Sequence, residues 1–168
     1  MEQFSLTDIK KKNLSDVYHY IYMNPSCSKQ DIATALSVSL PTVSQHLTTL
    51  ESEQLIEKCG RLSSSVGRRA NAYQIISDAK IAIGLEILPH TTHILSINLY
   101  GKMIAKETLP VSFEASAAYF SKLKKAVKNF CQINHHKAES ILGIGLGVQG
   151  LISPDGSELT YGKILDCT

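Results

Sequence analysis

No apolar run in this chain is long enough to span a bilayer, and its start lacks the basic and apolar regions of a signal peptide. A soluble, cytoplasmic protein with no membrane partner is therefore expected. Paired cysteines are also missing. Cys27, Cys59, Cys131 and Cys167 are scattered and form no Cys-x-x-Cys unit. That spacing excludes a disulfide frame and a zinc site, suits reduced thiols, and leaves no metal to expect. Charge of one sign is missing too: the formal net charge is +2. Residues 1–77 carry eight Lys/Arg against seven Asp/Glu. Any preference for nucleic acid must come from where the basic groups sit rather than from their number. At 168 residues the chain has room for one domain or two small ones, each with its own core.

What is present centres on residues 28–73. Leu40, Val43, Leu47 and Leu50 recur at three- and four-residue intervals, so they share one side of a helix. The other side carries Pro41, Thr42, Gln45, Thr48 and Thr49, short groups without charge. A helix facing only water usually shows Lys and Glu there. Thr, Ser and Gln suit a helix in the major groove, where they reach base edges or phosphate oxygens. Ser28-Lys29-Gln30-Asp31 fits a capping box opening a two-turn helix through Ile32, Ala33 and Leu36. Ser37-Val38-Ser39 then makes the turn, with Ser39 as N-cap and Pro41 in the first turn, where its missing N–H costs nothing. This is a helix-turn-helix pattern; a plain helical hairpin shares its apolar spacing but not its outward chemistry.

Upstream, residues 1–12 are polar and end in Lys10-Lys11-Lys12; a flexible arm touching phosphates is one reading, and the solvated start of a helix is the favoured one. Leu14, Val17, Tyr18, Ile21 and Tyr22 trace a supporting helix that ends near Asn24-Pro25. Downstream, the strand-like runs 55–59 and 72–76 flank a Ser/Gly/Arg tip over residues 60–71, the expected wing. All three arginines of the chain, Arg61, Arg68 and Arg69, fall within nine residues here. With Lys58 they face one acid, Glu57, and adjacent arginines suit a narrow minor groove, while Gly67 permits close approach. A solvated loop is the ordinary alternative. The candidate DNA-binding residues are thus Ser39, Pro41, Thr42, Ser44, Gln45, Thr48, Arg61, Arg68 and Arg69.

The periodicity changes past Ser77-Asp78-Ala79-Lys80, placing a domain boundary between residues 77 and 78. Runs 81–88, 91–99 and 103–109 predict an antiparallel meander. A helix over about 114–131 follows, with Phe120, Leu123, Val127 and Phe130 inward and Lys122, Lys124, Lys125 and Lys128 on a solvated face. Residues 141–148 read as a buried strand with glycines at 143, 145 and 147, whose missing side chains suggest close approach of another backbone or a ligand. Pro154-Asp155-Gly156 is a turn.

Three strands, a helix and a Gly-rich strand resemble the opening of the ribonuclease-H-like α/β fold of actin, heat-shock ATPases and sugar kinases. Joined to the wing, the chain resembles the ROK family of repressors, regulators and sugar kinases. The residues that carry this are Pro41-Thr42-Val43-Ser44, Leu55-Ile56, Gly67-Arg68-Arg69, Ile83-Gly84-Leu85-Glu86 and Ile144-Gly145-Leu146-Gly147-Val148-Gln149-Gly150. The expected fold class is α+β: a winged helix-turn-helix over 1–77, then a first, partial ribonuclease-H-like lobe over 78–168.

The resemblance implies a repressor of carbohydrate metabolism that binds a double-stranded DNA operator and answers to a sugar or sugar-phosphate effector. It implies a homodimer in the full-length form, and a cleft wall made by Gly147, Gln149 and Gly150. Kinase members resemble Asp-x-Gly-x-Thr at the first strand turn. Here Glu86-Ile87-Leu88-Pro89-His90 offers no glycine for close phosphate approach, so neither a nucleotide cofactor nor enzyme activity is expected. Gln149 also stands where the family usually has proline. The family's catalytic Asp, most sugar contacts and His/Cys zinc site have no counterpart in these residues. A fragment and a naturally short regulator are both open, and these residues are expected to bind DNA weakly or as a single half-site reader, without answering to sugars. The alternatives are a sugar kinase with an appended DNA-binding domain and a winged-helix module for protein or RNA contact.

Overall fold

A computed structural model of the chain describes residues 6–62, 70–155, 157 and 159–161. It divides into two compact units, Met1–Ile76 and Ser77–Thr168. The first holds helix α1 (Leu6–Met23), the short strand β1 (Cys27–Ser28), helices α2 (Lys29–Leu36) and α3 (Leu40–Ser52), and strands β2 (Ile56–Leu62) and β3 (Ala70–Ile75). Lys10, Lys11 and Lys12 are exposed on α1, which is helix from Leu6 onward, in keeping with the solvated helix start and not with a flexible arm.

Val17 and Ile21 of α1, Ile32 and Ala33 of α2, Val43, Leu47 and Leu50 of α3, Ile56 and Ile75 are buried and form one aliphatic core. The capping box forms as its spacing requires. Ser28 Oγ accepts from the Asp31 N–H, and the Ser28 N–H donates to Asp31 Oδ2 at 2.8 Å. Hydrogen bonds from Ser28 hold the Asp31 carboxyl below the usual carboxylate range. Helix α2 stops at Ser37, which adopts a left-handed conformation (φ 53°). Ser39 then caps α3, with Pro41 in its first turn.

The strands β1-β3-β2 form an antiparallel sheet. The hairpin is longer than its sequence suggests. Gly60, Arg61 and Leu62 pair with Ala72, Asn71 and Ala70, and a bulge at Cys59 shifts the register between Lys58 and Gly60. Gly60 takes φ 144°, a conformation that favours glycine. Arg61 is therefore a strand residue and not part of the tip.

In the second unit, β4 (Ile81–Ile87), β5 (Thr92–Asn98), β6 (Met103–Leu109) and β7 (Ile141–Val148) form a mixed sheet in the order β6-β5-β4-β7, with β7 parallel to β4. Helix α4 (Ala117–Ile133) packs on it, followed by a short 3-10 turn at Ala138–Ser140; β8 (Leu151–Ile152) and β9 (Leu159–Tyr161) form a small hairpin. The unit's core is Ile81, Ile83, Leu85, Ile87, Ile94, Tyr119, Leu123 and Phe130.

Two expectations fail here. Phe120 is 51 % exposed, and its neighbour Tyr119 points inward, sharing a hydrogen bond of 2.9 Å with the buried Thr92 hydroxyl. Tyr119, Leu123 and Phe130 are spaced so that all three face the sheet, whereas Phe120 lies 100° further round the helix. Strand β7 is exposed, not buried; Ile144 is 57 % accessible. It is the edge of the sheet, and α4 covers β4 and β5 instead. The architecture is α+β throughout. Among the described residues no helix is long and apolar enough to cross a membrane.

Candidate nucleic-acid interface

Helix α3 presents one continuous polar face. Ser39, Pro41, Gln45 and Thr48 are exposed, and Thr42, Ser44 and Thr49 are half-buried at its two edges. The hydroxyls on this face are largely committed to the helix itself. Ser44 Oγ donates to the Leu40 carbonyl at 2.7 Å, Thr48 Oγ1 to that of Ser44 at 3.0 Å, and Thr49 Oγ1 to that of Gln45 at 3.1 Å. Ser39 Oγ and Thr42 Oγ1 share a hydrogen bond of 2.8 Å. The threonines among them therefore offer mainly a methyl group and acceptor lone pairs, and the serines acceptor lone pairs, rather than free hydroxyl donors. Gln45 differs: its side-chain amide has no hydrogen bond among the described residues, leaving donor and acceptor both available.

Lys29 has no role in the sequence pattern beyond its place in the capping box. It opens α2, and its Nζ donates to Ser44 Oγ at 2.9 Å, placing a positive charge on one edge of the polar face. Only the fold could reveal it, since fifteen residues separate the pair. Lys58 moves the other way. It forms an ion pair of 3.0 Å with Glu51 of α3, so its charge does not add to a basic wing. Glu57 accepts from Gln74 at 2.7 Å. Arg68 and Arg69 lie outside the described residues, as does Gly67.

Leu40 is 41 % exposed, contrary to its place in the apolar stripe, because it sits in the first turn, just past the cap. His46 takes an inward place instead. It is 7 % exposed, and its Nε2 is buried without a hydrogen-bond partner among the described residues. Burial holds this imidazole below its ordinary value near 6.5. The folded unit thus binds fewer protons at His46 than the unfolded chain does. The stability that neutral His46 permits is complete above about pH 6.5 and is lost as pH falls through the lower folded value. Thermal unfolding of the N-terminal unit is expected to shift downward between pH 7 and pH 5, and His46→Leu is expected to flatten that dependence. Parallel curves for the two proteins would contradict this.

The expected effector wall is less developed. Gly147, Gln149 and Gly150 are exposed at the end of β7. A Cβ at Gly147 would meet the Leu85 carbonyl at 3.6 Å, an ordinary contact, and at Gly143 it would meet nothing. The alternate glycines thus do not mark close approach of a second backbone among the described residues; they leave one side of an edge strand open. Cys27, Cys59 and Cys131 are free, and no His/Cys/Asp/Glu cluster suited to a metal occurs among the described residues.

Residues 12–57 match the winged helix-turn-helix DNA-binding family. No curated protein matches the chain. Among solved structures, a ROK family transcriptional regulator, a homolog of the E. coli MLC protein, superposes with a TM-score of 0.62 at 17 % identity. The match takes in 86 % of this chain and 37 % of that one, so the present chain corresponds to well under half of that regulator. Streptococcus pneumoniae FabT in complex with DNA matches 38 % of this chain and 42 % of its own at 26 % identity, but a TM-score of 0.30 is too low to carry a shared fold. The chain therefore begins with a winged helix-turn-helix domain and, over most of its length, has the fold of a ROK family transcriptional regulator.

Proposed function

We propose that this chain is a sequence-specific, DNA-binding transcriptional repressor, with α3 as its recognition helix and the β2–β3 hairpin as its wing. The observation that carries the reading is the uncharged, hydrogen-bonding face of α3, with Gln45 unengaged at its centre and Lys29 at one edge. A face of methyl groups, acceptors and one free amide suits thymine methyls and base-edge amines in the major groove. Direct readout falls to Thr42, Ser44, Gln45 and Thr48, with Ser39 and Pro41 at the helix start and Arg61, Arg68 and Arg69 on the wing.

A carbohydrate effector belongs to the same proposal, supported by the fold likeness of the second unit to a ROK regulator. Gly147, Gln149 and Gly150 would supply one wall of its site. A sugar pocket needs polar groups converging from several sides, so these residues alone are not expected to hold one. The homodimer is likewise proposed for the full-length form. The sugar-kinase alternative meets the Glu86–His90 segment, where β4 ends and a turn over residues 88–91 follows, closed by a hydrogen bond of 2.9 Å from the Leu88 N–H to the Thr91 carbonyl and containing no glycine.

Selection from a random duplex pool tests the reading: it predicts an enriched motif, and enrichment of no sequence would overturn it. For the wing, Arg68→Ala with Arg69→Ala is expected to weaken binding and to lower the salt dependence by about 1 for each phosphate no longer engaged. An unchanged salt slope would return these arginines to a solvated loop.

A further inference from the structure

A groove lies between the start of α1 and one edge of α3, lined by Lys10, Lys11 and Asn13 on one side and Thr42, Gln45 and Thr49 on the other. Leu14 and the buried His46 complete it. Thr42 and Thr49, seven residues apart, form one edge of the recognition helix, opposite the edge where Lys29 meets Ser44, and Gln45 borders the groove from the centre of the polar face. Neither Lys10 nor Lys11 has an ion-pair partner among the described residues. The charges are therefore available beside a face that itself carries none.

A helix with its side chains is about 10–12 Å across and the major groove about 12 Å wide. The edges of a docked helix accordingly face the two phosphate backbones that border the groove, while its centre faces the bases. A cationic cleft along one edge sits where a backbone passes. We infer that the α1–α3 groove seats a phosphate of the DNA strand flanking the recognition helix, with Lys10 and Lys11 supplying charge and the Asn13 amide a hydrogen bond. This rests on the DNA-binding reading above and adds a third contact region to the recognition helix and the wing. It also gives a role to the lysine run, which in sequence has only the choice between an arm and a solvated helix start. Phosphate contacts fix register and orientation but carry no sequence information. The groove should therefore set affinity, not preference.

The test is the salt dependence of duplex binding by the full chain, compared between wild type, K10A/K11A and the charge-matched control K124A/K125A, whose lysines are exposed on α4. The double variant on α1 is expected to lower the slope of log K against log[salt] by about 1–2. It should weaken all duplexes by a similar factor and leave their ranking unchanged. K10Q/K11Q is expected to behave alike, which separates charge from helix propensity. A slope equal to wild type, or an equal drop in K124A/K125A, would overturn the inference while leaving the function standing. Failure of the wild-type chain to bind any duplex would instead remove the functional reading and the inference with it.

Discussion

Leu47→Ala is expected to cost the N-terminal unit about 2–5 kcal/mol, a larger loss of stability than any change on the exposed face of α3 should bring. Leu47 is 2 % exposed and stands in one core with Val17, Ile21, Ile32, Val43 and Leu50. Truncation removes buried methyl groups and leaves a cavity that three helices and a small sheet cannot fully close. Domains of this kind are stable by roughly 5–15 kcal/mol in total, so the loss is a large share of what holds α3 in place. Hydrogen exchange of the α3 amides would show it directly, as a rise in exchange rate of about thirtyfold or more. Thr48→Ala, one residue on but exposed, should stay within about 0.5 kcal/mol of wild type. Equal protection in Leu47→Ala and wild type would mean that α3 does not depend on this core.

Gln45→Ala is expected to change what the protein reads rather than whether it folds. The hydroxyls around Gln45 donate to backbone carbonyls or to one another, whereas its amide is unengaged. A free primary amide can donate to and accept from adenine at once, an interaction worth about 1–3 kcal/mol of discrimination. The variant should bind a preferred duplex about 5- to 150-fold more weakly, with the loss confined to one base pair of the site. Affinities across a panel of single-base variants would check this. Unchanged ranking across the panel would move base readout elsewhere on the helix.

The chemistry of the helix-turn-helix is legible in the sequence because it is local. Ser28 and Asp31, or Ser39 and Pro41, act within four residues, and their spacing alone dictates a helix start. What escapes such a reading depends on neighbours that the sequence does not order. The run 141–148 reads as buried because it is apolar, but burial depends on strand order, and β7 lies at an edge. Phe120 and Tyr119 are both aromatic and adjacent; only the position of the sheet, with Thr92 waiting for a hydroxyl, selects the tyrosine.

The candidate interface divides the same way. The polar face of α3 is visible in the spacing of Thr42, Gln45 and Thr48. Its basic edges are not, because Lys29 and Lys10-Lys11 reach it from other helices. Lys58 shows the converse, a charge that belongs to the wing by sequence until Glu51 is found 3.0 Å away. His46 carries no signal at all: a histidine at the border of an apolar stripe is read equally well as inside or outside.

If the polar face of α3, with cations at its edges, docks on duplex DNA, binding must displace counterions from the phosphates. Titrating the wild-type chain with a duplex at several salt concentrations tests this most directly. The expected result is that log K falls linearly with log[salt], with a slope of about −0.9 for each phosphate engaged and several phosphates in all. Binding that is absent at low salt, or that does not vary with salt, would contradict it.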